Sequence, residues 1–280
     1  MRLLTFMARR FVAGDTVEEA ILQVKRLNSE GIKATLDNLG EECRSREQAL
    51  AARDEYLKML ERINEAKLDC NVSLKLTQFG LAIDEAFCRE NVVRILEKAQ
   101  TFGTFVRIDM EGSAYTQKTL DMFHDLRKTY PHIGIVIQAM LHRSEKDVSE
   151  LAAAGCCVRL CKGAYKEPAA VAFPDKRDVN ANYDKLARML LKARNPAFAT
   201  HDDDRIAAAA AAAKTAGLPK SGYEIQMLYG LRARRWRELV AQGHVVRVYT
   251  PYGTHWFPYF YRRIRERKEN LLFVLRNYFD

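Results

Sequence analysis

The stretch CCVRLCKGAY, residues 156–165, buries an arginine in an apolar run that gives way to a glycine. Successive side chains on a strand point to opposite faces, so Arg159 and Cys161 share one face and Val158 and Leu160 the other. An inward-facing arginine carries a heavy desolvation cost unless an anion or an electron-rich group meets it. An internal salt bridge to Asp109 is one candidate and a bound group is another. Gly163 lets the backbone approach some other group closely.

Seven more runs of this kind flank it: IKATLDNL (32–39), NVSLKLTQF (71–79), TFVRIDM (104–110), IGIVIQAM (133–140), AFATHD (197–202), YEIQMLYG (223–230) and HVVRVYTPYG (244–253). Most are rich in β-branched residues, which suits buried parallel strands. Helical patterns lie between them. SREQALAARDEYLKMLERINEA (45–66) puts Leu50, Leu57, Leu60 and Ile63 on one face. FCRENVVRILEKAQTFG (87–103) groups Val92, Val93 and Leu96 and stops at Gly103, and NYDKLARMLLKA (182–193) repeats the pattern. DDDRIAAAAAAAKTAG (202–217) has acids at its start, alanines within and Gly217 at its end.

Strand and helix alternating in this way over about 250 residues predict an α/β fold, a (β/α)8 TIM barrel. An open doubly wound sheet is the runner-up, weakened because no G-x-G-x-x-G follows the first strand. TVEEAILQVKRLNSEG (16–31) predicts a leading helix capped by Asp15. The expected organisation is an N-terminal helical segment over 1–30 and the barrel over 31–280.

The net charge of +9 favours anionic partners without selecting one. RARRWRE (232–238) is a dense basic patch, but no RNA-binding or helix-turn-helix pattern accompanies it, so nucleic acid is not an expected partner. No apolar stretch reaches the roughly 18 residues of a membrane-spanning helix. The N-terminal MRLLTFMARRFVAGD is interrupted by Arg9 and Arg10 and does not read as a signal peptide. Cys43, Cys70, Cys88, Cys156, Cys157 and Cys161 form no C-x-x-C pair and no zinc spacing. They read as reduced core thiols of a cytoplasmic protein without a metal site.

Barrel active sites lie at the C-terminal ends of the strands. The polar residues late in, or just after, the runs are Glu41, Lys75, Asp109, Gln138, Arg159, Lys162, Tyr165, His201, Gln226 and Tyr249. Any one of them is unremarkable as a surface residue. As a set they demand partners, because charges in buried strands must be matched. The stretch YRRIRERKEN (261–270) follows the eighth run closely. On a helix Arg262, Arg263 and Glu266 share one side, with a net positive charge able to hold one carboxylate bidentately. A solvated charged face is the alternative, and closeness to the barrel mouth favours the clamp.

These residues resemble the proline dehydrogenase family. The resemblance runs in order through TLDNLGE (35–41), SLKL (73–76), VRIDME (106–111), VRLCKGAYKE (158–167), ATHD (199–202), EIQMLYG (224–230), RVYTPYG (247–253) and YRRIRERKENLLFVL (261–275). The form resembled is the short bacterial monofunctional one, with no room expected for the aldehyde dehydrogenase domain of bifunctional relatives. It implies a distorted barrel that carries FAD. It also implies oxidation of L-proline to Δ1-pyrroline-5-carboxylate by hydride transfer to flavin N5, with electrons passed on to a quinone.

The resemblance further implies that Arg262 and Arg263 bind the proline carboxylate and that Glu266 orders the substrate ammonium and the cofactor side of the site. Lys75 and Asp109 match groups beside substrate and flavin, while Tyr249, Tyr165, Leu228 and Ala164 match pocket walls. Arg159 and Gln138 match groups at the flavin's reactive edge, and Lys162, His201 and Gln226 match cofactor contacts. Glu41 matches an acid that pairs with Arg262 as a gate, and a tyrosine at 249 goes with proline over hydroxyproline.

The chain starts nearer its first strand than the family pattern, which leaves oligomeric state and peripheral contact with the inner face of the bacterial membrane open. Three rival readings stand beside this one. They are a related flavin barrel acting on another cyclic or secondary amine, a phosphate-binding barrel, for which YTPYGTH is a poor loop, and a basic non-catalytic binding protein.

Overall fold

Each of the eight apolar runs contributes one strand. A computed structural model describes residues 10–266, and for 262–266 it describes the course of the backbone alone. Strands β1 (Lys33–Asn38), β2 (Cys70–Leu74), β3 (Val106–Ile108), β4 (Ile133–Gln138), β5 (Cys157–Cys161), β6 (Ala197–Ala199), β7 (Glu224–Leu228) and β8 (Val245–Tyr252) pair in parallel, each with the next. β8 returns to β1, with Thr35 opposite Tyr249, and closes the barrel.

Helix α1 (Val17–Ser29) precedes β1. Then α2 (Arg46–Glu65), α3 (Glu85–Thr101), α4 (Ser113–Thr129), α5 (Ser144–Ala153), α6 (Lys176–Leu190), α7 (Asp203–Thr215) and α8 (Ala233–Ala241) link successive strands, and α9 (Trp256–Glu266) follows β8.

Side-chain alternation divides the barrel into two environments. The outward residues Leu36, Val72, Leu74, Ile108, Ile135, Val158, Leu160, Ile225 and Val248 pack with helix residues such as Met59, Leu60, Val92, Phe123 and Leu186 in one continuous core. Burying each such side chain stabilises the fold by about 1.5–3 kcal/mol. Val17, Ala20, Ile21, Val24 and Leu27 of α1 join the same core.

The lumen, in contrast, is polar: Thr35, Asp37, Asn71, Ser73, Arg107, Arg159, Gln226 and Arg247 are all buried. Near its floor Arg247 donates to Glu224 through Nε at 2.9 Å and Nη2 at 2.8 Å, and to the Ala34 carbonyl at 2.6 Å. Burial alone would raise the Glu224 carboxyl, but the Arg247 guanidinium holds it down at about 2. Arg107 Nη1 donates to the Cys157 carbonyl at 2.8 Å. Gly134 leaves the room for this, since a Cβ there would stand 2.6 Å from Arg107 Nη1.

The strands are shorter than the apolar runs suggested. The run 71–79 leaves the sheet after Leu74, and Leu76–Phe79 turn as a 3-10 helix ended by Gly80 at φ 103°. The α1 cap is Thr16 rather than Asp15: its side chain accepts from Glu19 N at 3.3 Å, while Asp15 N donates to Glu19 Oε2 at 2.6 Å. The residue at the N-cap of α4 is Gly112, which has no side chain to cap the helix. Glu167, from the β5–α6 loop, takes over: one oxygen accepts from Ser113 N at 2.7 Å and the other from Ser113 Oγ at 2.5 Å. A carboxylate is favoured there by the free amides and by the helix dipole.

Candidate active site

At the C-terminal mouth of the barrel, β1, β2, β3, β5 and β8 each send in a charged or hydroxyl group. Lys75 follows β2 and donates to Asp37 Oδ2 at 2.9 Å and to the Tyr249 hydroxyl at 3.1 Å. Its ammonium is also 3.6 Å from Asp109 Oδ2. Tyr249 in turn donates to Asp109 Oδ2 at 3.0 Å. Arg159 donates to Asp109 Oδ1 at 3.1 Å, to Ser73 Oγ at 3.0 Å and to Gln226 Oε1 at 2.6 Å. The internal pairing with Asp109 weighed for Arg159 is therefore present. Arg159 Nη2 is nonetheless buried with no hydrogen-bond partner among the described residues.

The protonation states follow from the surroundings. Burial works against the Lys75 charge, yet the carboxylates of Asp37 and Asp109 hold its ammonium well above the ordinary value. Burial, with the Asp109 and Asp37 carboxylates, holds the Tyr249 phenol well above its own. Both groups are donors at neutral pH. The Tyr249 ring also lies under two cations, with Arg159 Cζ 5.4 Å and Lys75 Nζ 5.9 Å from its centroid.

The other expected residues distribute around this centre. Gln138 is buried and donates to the Glu111 carbonyl at 2.9 Å. Gln226 donates to Glu224 Oε2 at 2.7 Å, which connects the mouth to the ion pair on the floor. On the β5–β7 side, Lys162 pairs with Asp202 at 2.7 Å and His201 Nε2 accepts from Leu228 N at 3.1 Å. Leu228 ends β7 in register with Tyr249.

Ala164 and Tyr165 lie on the loop after β5, where Tyr165 packs against Met140, Leu141 and Ala172. Gly163 allows that packing: it sits at φ 106°, and a Cβ there would stand 2.4 Å from Met140 Sδ. The group it approaches is thus a methionine side chain. Glu41 lines a cleft of about 1010 Å³ at the β1 and β8 side of the mouth, together with Lys75, Gln78, His255 and Tyr259. The backbone of α9 carries Arg262, Arg263 and Glu266 onward from β8, and their side chains fall outside the described residues.

Two buried acids escaped the sequence reading. Asp37 is fully buried and holds both Lys75 and the Tyr56 hydroxyl, the latter at 3.0 Å. Its signal was available: an acid within an apolar strand needs a partner as much as Arg159 does. Glu111, two residues past Asp109, is buried beneath the β1–α2 loop and accepts from Thr77 N at 3.1 Å. It falls outside the apolar run, so strand alternation gave no hint of it.

A closed (β/α)8 barrel with converging donors and fixed charges at its C-terminal mouth has the architecture of a barrel enzyme. Residues 20–276 match the family model described as Proline dehydrogenase, and the chain belongs to the proline dehydrogenase family. It is an oxidoreductase.

The chain is 44% identical over 270 residues to Proline dehydrogenase 1 of Bacillus subtilis subsp. natto, covering 96% of this chain and 89% of that protein. It is 40% identical over 276 residues to Proline dehydrogenase of Deinococcus radiodurans, with the same two coverages. Among solved structures, proline utilization A from Bdellovibrio bacteriovorus inactivated by N-propargylglycine superposes with a TM-score of 0.86 at 26% identity. That match covers 93% of this chain and 32% of the solved one, so this chain spans about a third of its length.

Proposed function

We propose that the chain oxidises L-proline to Δ1-pyrroline-5-carboxylate with FAD as its resident cofactor and passes the electrons to a quinone. The observation that carries the cofactor part is Arg159 Nη2, a buried cationic donor with no partner among the described residues. Leaving such a donor unmatched costs about 1–3 kcal/mol or more. An electron-rich ring system at the mouth would satisfy it, and a fixed guanidinium stabilises negative charge that develops beside it.

Arg159, Gln138, Lys162, His201 and Gln226 would hold the flavin, with Asp109, Ala164 and Glu266 bordering it. When bound, the flavin supplies the hydride acceptor, and the protein supplies orientation and charge. Lys75, Asp109 and Tyr249, already tied together, form a stiff wall against which the substrate ring is placed. Tyr165, Leu228 and Ala164 complete the apolar surround. Arg262 and Arg263 take the carboxylate, Glu266 faces the ammonium, and Glu41 with Arg262 covers the entrance.

The quinone acceptor and a peripheral contact with the inner face of a bacterial membrane rest on the family resemblance. Among the described residues no helix is long and apolar enough to cross a membrane.

Anaerobic absorbance spectra before and after addition of L-proline test the proposal. Flavin bands that bleach support cofactor, substrate and reduction together. Bands that persist shift the substrate to another cyclic or secondary amine. No flavin bands after incubation with FAD would overturn the reading.

A further inference from the structure

We infer that Glu111 is a positioning residue for entry to the mouth, acting through Thr77 to fix the β1–α2 loop that bears Glu41. Both donors of Thr77 go to the buried Glu111 carboxylate: the backbone N–H to one oxygen at 3.1 Å and the hydroxyl to the other. Thr77, itself fully buried, then holds the loop above. Its Oγ1 accepts from Glu42 N at 3.1 Å, and its carbonyl accepts from Cys43 N at 3.2 Å.

The held segment is strained. Glu42 stands at φ 48°, a left-handed conformation unfavourable to a residue with a Cβ and kept only where neighbouring bonds impose it. Glu41, immediately before it, lines the cleft at the mouth. Glu111 is fixed in its turn, because its carbonyl accepts from Gln138. The chemistry requires an acid. A carboxylate accepts on both oxygens and matches the two Thr77 donors, whereas a glutamine offers one acceptor and one donor. The titratable and charged groups facing it are Lys75, Glu41, Cys43 and Cys88.

This inference deepens the proposed function and rests on it only for the identity of what enters the cleft. The test is hydrogen exchange on the full chain, together with steady-state kinetics, for Glu111→Gln, Thr77→Val and the double variant. In each single variant the Glu42 and Cys43 amides are expected to exchange about tenfold faster or more. The double variant should be no faster than the singles, and Thr77→Ser should restore protection. KM for L-proline should rise while kcat stays within about twofold.

Unchanged exchange at Glu42 and Cys43 overturns the inference, and so does faster exchange spread evenly through the strands. An unchanged KM alongside a loosened loop also overturns it. If the wild type does not turn over L-proline, the proposed function fails, and the exchange pattern alone decides the link from Glu111 to the loop.

Discussion

Tyr249 donates its hydroxyl to Asp109 Oδ2 at 3.0 Å, joining β8 to the end of β3 across the barrel mouth. The Tyr249 hydroxyl oxygen in turn accepts from Lys75 Nζ at 3.1 Å, so a single phenol connects a cation and an anion. Tyr249→Phe keeps the ring beneath Arg159 and removes both bonds. The expected loss is about 1–2 kcal/mol in urea unfolding. Tyr249→Ser removes the ring as well and should narrow the ratio of kcat/KM for L-proline over hydroxyproline. A ratio that does not move would detach Tyr249 from specificity.

The Arg159–Asp109 pair is buried, and its parts should prove interdependent. Arg159→Met leaves Asp109 without its guanidinium and should destabilise the protein by about 3 kcal/mol, the low end for a broken buried pair because Lys75 and Tyr249 remain beside it. Adding Asp109→Asn should return part of that loss. Denaturant midpoints around the double-mutant cycle measure the coupling. Simple additivity would mean that the pair contributes nothing as a pair.

Burial pushes the Glu111 carboxyl up from 4.5 to about 7, against hydrogen bonds from Thr77 and the charge of Lys75, while Glu41 adds to the rise. A raised folded value means that the folded state binds this proton more tightly than the unfolded one. Its contribution to stability is therefore complete below pH 4.5 and is lost as pH rises through about 7. Glu111→Gln cannot titrate. The stability of wild type relative to this variant should fall across that window and level off above it, as urea unfolding at a series of pH values would show. A difference independent of pH would refute the assignment.

On the proposed function, Arg263→Met should leave flavin binding intact and raise the KM for L-proline steeply. One charge-assisted contact to a carboxylate is worth about 1.5–3 kcal/mol, roughly ten- to a hundredfold in KM. Steady-state kinetics beside a flavin spectrum separates the two effects. An unchanged KM would remove this arginine from the carboxylate clamp.

The barrel was legible because its strands are buried on both faces and read as unbroken apolar runs, IGIVIQAM most plainly. The polar lumen was only partly legible. Arg159 stood out as a charge within such a run, while Asp37, an acid in an equivalent place, passed unnoticed. The strand ends misled, since apolar residues such as Leu76 and Phe79 continue into a buried 3-10 turn. Pairings between distant loops, such as Glu167 with Ser113, have no local periodicity to announce them. Charge at a strand end shows where a partner is needed, and only the closed barrel shows which residue supplies it.

The polar lumen joins the floor to the mouth through one series of contacts: Arg247 to Glu224, Glu224 to Gln226, Gln226 to Arg159, Arg159 to Asp109, and Asp109 to Tyr249. This bears on how such a protein can diverge. In a barrel filled with hydrocarbon, the rim can drift while the staves stay put. Here a new side chain at the rim disturbs ions several layers below it, so viable changes arise in concert along the series. The prediction for relatives is that those with an altered rim carry compensating exchanges at Glu224, Gln226 or Arg247.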